Sequence, residues 1–251
     1  MSAIRMSAIP RLRGLKNLSW LTPRRLSRLD DALKVSGVEK SGTVFDRKRS
    51  PEFAYVLLSG VARISCRNRK GDRTLVIMIA PGMIPSVPPS VTGIRYGFRC
   101  EAVTDCQIGT VALMTFIEIA LGISSADFKR MAASYAGRWD LVQLRCSNFM
   151  GCTLKERVAL ILLELCENFG VREKQGVRLT VPARHKDIAE LVGASRPRVT
   201  EHLASFERRE MIVRDGRDLV VRRDRLESFL EQRHLPAPAD NLETSSRGAL
   251  P

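Results

Sequence analysis

Residues 188–221 read IAELVGASRPRVTEHLASFERREMIVRDGRDLVV, and this stretch decides the fold of the C-terminal part of the chain. Two helices joined by a tight turn need apolar residues where they cross and a small residue where the chain bends. Ile188 and Val192 form the inner face of a first helix, and Gly193 supplies the bend. Three apolar residues anchor a second helix on its inner side: Val199, Leu203 and Phe206. The pattern predicts a helix-turn-helix.

The neighbouring segments extend this motif on both sides. The predicted elements are a short strand Val177–Val181, helices near Lys186–Val192 and Arg196–Arg209, and hairpin strands Met211–Arg214 and Leu219–Arg222. Asp215 and Gly216 lie between the hairpin strands, and glycine tolerates the positive φ that a tight turn requires. We therefore expect a winged helix-turn-helix.

The N-terminal end of the second helix is polar on its outer side. The outward residues are Ser195, Arg196, Pro197, Arg198, Thr200 and Glu201. Ser195 is suited to cap the helix, and Pro197 falls in the first turn, where its missing N–H costs nothing. Arginine and hydroxyl groups on a free helix end can contact base edges and phosphates in a major groove. This end is therefore a candidate site for double-stranded DNA.

The preceding region, residues 42–122, has the rhythm of an antiparallel β structure. Turn residues such as Pro81-Gly82 separate six short apolar runs. The runs are Thr43–Phe45, Tyr55–Leu58, Val61–Cys66, Thr74–Ile79, Phe98–Val103 and Gln107–Leu113. Short strands at such regular spacing predict a small barrel or sandwich. A helix over Arg24–Leu33 is expected before it, because leucines recur there at spacings of three and four.

A long helix is predicted between the barrel and the helix-turn-helix. Large side chains recur at steps of three and four: Phe128, Met131, Tyr135, Trp139, Val142, Cys146 and Phe149. This period of about 3.5 is typical of a seam between two helices, and it predicts dimerisation. The alternative is a helix that packs only on its own barrel.

A second helix begins directly after this one. Gly151 ends the first helix, and Thr153 through Glu156 form a T-x-x-E capping box that opens a helix over Leu154–Asn168. We interpret this junction as a hinge.

Composition and charge narrow the class of protein. The 251 residues include 41 Lys and Arg against 27 Asp and Glu, a net charge of +14. Such an excess favours polyanionic partners, although an arginine-rich solvated surface is the alternative. No apolar run approaches the roughly 18 residues of a membrane span, and the N-terminus lacks the apolar core of a signal peptide. Six cysteines without a C-x-x-C pair indicate neither a disulfide framework nor a zinc ribbon. A cytoplasmic protein with no membrane contact is expected.

Together these elements resemble the Crp/Fnr family, named for the cyclic-AMP receptor protein and the fumarate-nitrate regulator. Residues 188–221 resemble its winged helix-turn-helix, and YVLLSGVARI at 55–64 resembles a strand pair of its barrel. The resemblance implies an α+β fold: an N-terminal antiparallel β-roll or barrel like that of cyclic-nucleotide-binding domains, a long dimerisation helix and a C-terminal winged helix-turn-helix. The expected divisions are a basic arm and effector-type barrel at 1–122, the dimerisation helix at 123–152, the DNA-binding domain at 153–235 and a flexible tail at 236–251.

The resemblance also implies roles for individual residues. Arg196 matches the arginine that reads a guanine in this family, and Ser195 matches a phosphate contact. Four further basic residues are expected on the DNA backbone: Arg184, Lys186, Arg198 and Arg217. Pro197 stands where the family usually has glutamate, and Glu201 stands where it has arginine. The half-site should therefore differ from the family's common one.

The effector site departs from the family pattern. Family barrels that bind cyclic nucleotides carry a Gly-Glu pair and, farther on, an arginine followed by serine or threonine. Residues 81–102 read PGMIPSVPPSVTGIRYGFRCEA and contain neither. Val142-Gln143 replaces the Thr-Ser that contacts the base. We expect that cyclic-nucleotide binding has been lost and that no cofactor is bound, with a cyclic-nucleotide-responsive regulator as the alternative.

Other sensor chemistries find little support in the sequence. No cysteine precedes Cys66, which disfavours an iron–sulfur cluster, and all three histidines lie in the C-terminal region, away from a barrel haem. A thiol switch stays open among Cys66, Cys100, Cys106 and Cys146, although buried cysteine usually acts as a small apolar residue.

The sequence as a whole predicts a homodimeric transcription regulator that reads a palindromic DNA site. Its expected partners are double-stranded DNA and a second copy of the chain, with RNA polymerase as a further candidate. The alternative is a ligand- or redox-sensing module that acts through protein contacts. An enzyme is not expected, because neither a catalytic constellation nor a set of metal ligands is present.

Overall fold

The computed structural model describes residues 12, 15, 18, 20–46, 53–67, 73–83, 98–121, 129, 143–215 and 218–233. The chain divides into two compact units, Met1–Tyr135 and Ala136–Pro251. Several predicted features lie outside the described residues: Phe128, Met131, Tyr135, Trp139 and Val142 of the seam, Arg217 of the hairpin turn, and the tail 236–251.

In its described residues, the N-terminal unit combines two helices with seven strands. Its elements are α1 (Pro23–Ala32), β1 (Lys34–Val38), β2 (Thr43–Phe45), β3 (Phe53–Ser59), β4 (Ala62–Arg67), β5 (Arg73–Ile79), β6 (Phe98–Ala102), β7 (Cys106–Ala112) and α2 (Leu113–Leu121). Helix α1 begins after Thr22 with proline in its first turn, as expected for a helix start. The helix and the six strands predicted from the apolar pattern are confirmed.

The strands form two antiparallel sheets. One has the order β1-β7-β3 and the other the order β2-β6-β4-β5. Strand β3 is covered on both faces: Ala54, Val56 and Leu58 pack with the helices, and Leu57 packs in the core that includes the second sheet. Burial on both faces explains why this strand is a continuous apolar run. The α+β class and the antiparallel N-terminal roll are therefore confirmed.

Two elements of this unit were not predicted. Strand β1 reads KVSGV and is mostly exposed, so it carries no alternating apolar signal. Helix α2 reads LMTFIEIAL and directly follows β7. Periodicity cannot distinguish a short buried helix from a buried strand when the run is apolar throughout.

The C-terminal unit contains the helix-turn-helix and a small sheet. After a helical segment at residues 143–151, its elements are α3 (Leu154–Phe169), β8 (Gly170–Glu173), β9 (Gly176–Leu179), α4 (His185–Val192), α5 (Arg196–Arg208), β10 (Ile212–Asp215), β11 (Asp218–Val221) and α6 (Arg223–Glu231). The antiparallel sheet has the order β10-β11-β9-β8. Strand β8 and helix α6 had not been predicted.

Helix α3 is the centre of this unit. Its predicted capping box is present: the Thr153 backbone N–H donates to Glu156 Oε2 at 2.8 Å, and the Glu156 N–H donates to Thr153 Oγ1 at 3.4 Å. Val158, Leu162 and Leu163 are fully buried. The helix contacts α4, α5 and α6, so it supplies the platform that holds the helix-turn-helix.

The predicted helix-turn-helix is confirmed in α4 and α5. Gly193 ends α4 with φ 65°, in the left-handed region that favours glycine. Val199, Leu203 and Phe206 bury the inner face of α5. Phe206 also meets Phe229 of α6 edge to face, with ring centroids 5.6 Å apart. The β10–β11 hairpin, called the wing below, completes the winged fold.

Candidate nucleic-acid interface

The N-terminal end of α5 presents polar side chains to solvent. Ser195, Arg196, Pro197, Arg198 and Glu201 are all exposed. Proline occupies the first turn as predicted, where no helical hydrogen bond is lost. Because the buried residues lie on the opposite side of the helix, this end forms the outer surface of the domain.

Two residues of this end differ from the prediction. Ser195 occupies the N-cap position, but its side chain makes no capping hydrogen bond. Thr200 is half-buried instead of free: its hydroxyl donates to the Arg196 carbonyl oxygen at 2.9 Å and lies 2.8 Å from Nδ1 of His185. Its hydrogen bonds therefore run within the domain.

His185, which the sequence analysis did not single out, lies at the centre of a polar network. Arg214 of the wing donates from Nη2 to Nε2 of this imidazole, and its Nε donates to Glu207 of α5. Burial lowers the pKa of His185, and the charges of Arg214 and Arg196 lower it further against the opposing effect of Glu207. The imidazole is therefore neutral at neutral pH. The sequence gives no signal for this network, because a single histidine at the start of a helix forms no recognisable pattern.

Arginines of the C-terminal unit fall into two groups. Many pair with acids: Arg145 with Glu164, Arg178 with Glu173 and Asp218, Arg214 with Glu207, Arg223 with Glu167 and Glu227, and Arg225 with Glu210. Within 143–215 and 218–233, by contrast, several arginines form no ion pair with a carboxylate, and three of them, Arg184, Arg196 and Arg198, lie together at the N-termini of α4 and α5. Unpaired cations at one end of two adjoining helices are available to an external anion.

Neighbouring groups add to the positive potential of this surface. Lys186 is exposed, and its Nζ lies 3.9 Å from Glu190, a distance at which an exposed pair contributes little. Burial lowers the pKa of His202 on α5, and the charges of Lys155 and Arg198 lower it further. Both histidines described in this unit therefore experience a net positive environment.

The helical segment 143–151 contacts the turn of the helix-turn-helix. A Cβ placed on Gly193 would lie 2.6 Å from Cε2 of Phe149. The guanidinium of Arg157 lies over the same ring, 4.6 Å from its centroid. The ring is still 57% exposed, and Cys146 is exposed as well. These two residues are the described members of the predicted seam.

The N-terminal unit contains an open cavity of about 500 Å³. Hydroxyl, glycine and apolar residues line it: Ser36, Gly37, Val38, Gly42, Thr43, Val44, Phe53, Tyr55, Ile108 and Thr110. None of these described lining residues is charged. Two arginines stand in the 81–102 segment. Arg99 donates to Thr43 Oγ1 at 2.6 Å and lies 3.0 Å from Glu101, and Arg95 lies outside the described residues.

Two other kinds of site are absent from the described residues. Among the described side chains, no three His, Cys, Asp or Glu residues converge in a way that could hold a metal ion. In the described part of the chain, no helix has both the length and the apolar composition needed to cross a membrane.

Comparison with known proteins identifies relatives of both sequence and fold. Residues 156–229 match the Crp-like helix-turn-helix domain. A CRP-like cAMP-activated global transcriptional regulator of Mycobacterium tuberculosis is 26% identical over 205 residues, which cover 79% of this chain and 88% of the relative. The global nitrogen regulator of Synechococcus elongatus is 23% identical over 182 residues, covering 72% and 82%.

A solved structure with a similar fold is that of FixK2 from Bradyrhizobium japonicum. It superposes with a TM-score of 0.64 at 22% sequence identity, covering 82% of this chain and 98% of that one. The similarity therefore extends over the N-terminal roll and the winged helix-turn-helix together.

Proposed function

The chain belongs to the Crp/Fnr family of transcription regulators, and we propose that it acts as a homodimer that binds a palindromic site in double-stranded DNA. The observation that carries this proposal is the group of unpaired arginines at the N-termini of α4 and α5. Helix α5, called the recognition helix below, enters the major groove. Its uncapped first turn adds backbone N–H groups that favour a phosphate.

The exposed side chains of the recognition helix divide between bases and backbone. Arg196 donates two hydrogen bonds to a guanine, and Arg198 contacts phosphate. Glu201 accepts from a cytosine amine, whereas Pro197 offers an apolar ring and no acceptor. Ser195, Arg184 and Lys186 bind the backbone. Arg217 is assigned to phosphate on the resemblance alone, and the proposed role of Thr200 is to position the helix.

Dimerisation sets the spacing between the two recognition helices. The seam from Phe128 to Phe149 pairs with the same seam of a second copy, within a helix proposed to span residues 123–152. Such a pairing places two winged helices about one turn of DNA apart, roughly 34 Å. A palindromic site is the consequence of the two-fold axis.

The proposed effector domain no longer binds cyclic nucleotides. One relative is cAMP-activated by name, but residues 81–102 of this chain lack both the Gly-Glu pair and the arginine followed by serine or threonine. Cyclic AMP and cyclic GMP should leave the melting temperature and the DNA affinity unchanged.

Selection of bound DNA from a random pool tests the main proposal. We expect palindromic half-sites with a guanine opposite Arg196. Arg196→Ala should then cost about 1–3 kcal/mol on the selected duplex and relax the preference at that base. Arg198→Ala should weaken binding to all sequences and reduce the salt dependence by about one charge.

A matched control is available in the same unit. Arg172→Ala removes an exposed arginine of β8, outside the proposed interface, and should leave the selected preference intact. Half-sites without guanine at that position would refute the assignment of Arg196, and failure to select any duplex would refute DNA binding. The chain is proposed to act in the cytoplasm, with RNA polymerase as a further partner and with no catalytic activity.

A further inference from the structure

We propose that His185 is a positioning residue that ties the wing to the recognition helix, and that its neutral form is required for sequence-specific DNA binding. The inference rests on the proposed function only in its first test, which measures DNA affinity. It concerns a residue that itself is assigned no contact with DNA.

The hydrogen bonds through His185 join three elements in series. Arg214 of β10 donates to Nε2, and Nδ1 lies 2.8 Å from the Thr200 hydroxyl of α5. That hydroxyl donates in turn to the Arg196 carbonyl oxygen at 2.9 Å. The hydroxyl hydrogen is thus already used, so Nδ1 must carry the proton that Thr200 accepts. Both ring nitrogens are then satisfied in a single neutral tautomer.

The network fixes the part of the recognition helix that reads DNA. The Arg196 carbonyl belongs to the first turn, next to the side chains proposed to meet a base and a phosphate. The hydrogen bond between His185 and Thr200 fixes the rotation of the recognition helix, so that its opposite side faces the major groove of the DNA. Arg214 also pairs with Glu207, farther along the same helix, so Arg214 is linked to the recognition helix directly through Glu207 and indirectly through His185 and Thr200. Loss of the imidazole acceptor removes the indirect link.

Protonation of His185 acts directly on this link. The charged groups that face the imidazole are Arg214 from β10, and Arg196 and Glu207 from α5. An imidazolium has no acceptor at Nε2, so it cannot receive the Arg214 hydrogen bond, and it places a third cation beside two arginines. Arg214 must then move away, and the wing loses its link to α4. The added charge meanwhile favours binding to any phosphate backbone.

The first test compares specific with non-specific affinity as a function of pH. The affinity of the selected duplex and of a scrambled duplex is measured at constant salt from about pH 8 downward through the pKa of His185, which imidazole NMR signals locate. In the wild type, the ratio of the two affinities should fall about tenfold on acidification, as expected for loss of one charged hydrogen bond. His185→Phe, which keeps a ring but has no nitrogen, should show the low ratio at every pH.

A matched variant separates this effect from a general effect of histidine. His202→Phe replaces the other half-buried histidine of the same unit and should follow the wild-type pH profile. If His185→Phe does not fold, Arg214→Gln provides the second variant and should lower the ratio at about pH 8. A wild-type ratio at about pH 8 in both His185→Phe and Arg214→Gln would overturn the proposal, as would a pH-independent ratio in the wild type.

The second test needs no DNA and is read from imidazole NMR signals of the full chain. Arg214→Gln removes the cation beside Nε2, so the pKa of His185 should rise while that of His202 stays unchanged. An unchanged His185 pKa would refute the link to the wing. If no duplex is selected, DNA binding fails as a function, and this measurement still decides whether the network exists.

Discussion

Two cysteines on adjoining strands illustrate how burial decides chemistry at the scale of single residues. Cys100 on β6 is fully buried, and burial, followed by its neighbours Cys106 and Glu101, raises the pKa of its thiol to about 12. Cys66 on β4 is half-buried. Because the thiolate is the reactive form, we expect Cys100 to act as an apolar core residue and not as a redox switch.

Labelling with iodoacetamide should distinguish these thiols. At about pH 8 the native chain should be modified at Cys66 well before Cys100 or Cys166, because burial raises the pKa of Cys166 to about 12 as well. Mass spectrometry of peptides gives the rate at each site, and labelling in denaturant gives the reference in which all thiols react alike. Equal native rates at Cys66 and Cys100 would contradict the assignment of Cys100 to the core.

Histidine protonation should make the C-terminal unit less stable in mild acid. His185 and His202 both have a pKa below the ordinary value of 6.5, chiefly because of burial. The unfolded chain then binds more protons than the folded one, so the free energy of unfolding rises with pH in this window. The stability that the neutral histidines contribute is fully present above about pH 6.5, the ordinary pKa of the unfolded chain. It is lost as the pH falls through the lower pKa values of the folded chain.

Hydrogen exchange of α4 and α5 amides, corrected for the intrinsic effect of pH, measures this dependence. Replacing both histidines by phenylalanine should flatten it below about pH 6.5. A stability that increases on acidification would reverse the sign and refute the buried, neutral state of both rings.

Thr200 shows where the sequence stops being informative at this scale. Helical spacing correctly places Val199 and Leu203 inside and Arg196 outside, because that distinction depends only on the period. The partner of the Thr200 hydroxyl is His185, fifteen positions away on another helix. Such a hydrogen bond depends on how the two helices cross. A threonine that contacts DNA and a threonine that bonds within the domain therefore have the same sequence pattern.

At the scale of elements, the turn between α4 and α5 has two independent reasons to be glycine. Gly193 adopts φ 65°, which a residue with a Cβ reaches only at a cost. Its open side is also filled by the Phe149 ring. The segment 143–151, which continues from the predicted seam, is thereby linked to the turn of the DNA-binding motif.

A double-mutant cycle should separate the two reasons. Gly193→Ala should cost about 1–2 kcal/mol for the left-handed backbone, plus a further amount for displacement of the ring. In the Phe149→Ala background only the backbone cost should remain. Hydrogen exchange in α5 gives the free energies, and Met150→Ala, at an 83% exposed neighbour, serves as the control. Strict additivity of Gly193→Ala and Phe149→Ala would refute the contact.

Sequence patterns predicted elements well where one face is buried and poorly elsewhere. Helix α5 and strand β4 were found because their apolar residues recur with a defined period. Strand β8 reads GVRE and is exposed at every position, so its pairing with β9 provides all of its structure. Helix α6 buries Leu226, Phe229 and Leu230 within a charged sequence, RDRLESFLE, and unlike the equally short α4 it is not part of a helix-turn-helix that would mark it.

At the scale of the whole molecule, the proposed function depends on a second copy of the chain. One winged helix reads only a half-site, and a short half-site gives little discrimination among genomic sequences. The seam prediction therefore bears on affinity as well as on assembly. Cys146 offers a probe, because it is exposed in the single chain and is predicted to face its counterpart across the two-fold axis.

Disruption of the seam should convert the protein into a weakly binding monomer. Trp139→Lys places a charge in the predicted apolar seam, and light scattering should show about half the wild-type mass. Mild oxidation should cross-link the wild type through Cys146, but neither Trp139→Lys nor Cys146→Ser. The monomer should bind a single half-site with unchanged base preference, because the recognition helix is intact, while affinity for the full palindrome falls by orders of magnitude. A wild type that is monomeric at micromolar concentration and still binds the palindrome tightly would exclude this assembly, since symmetry of the site then could not arise from symmetry of the protein.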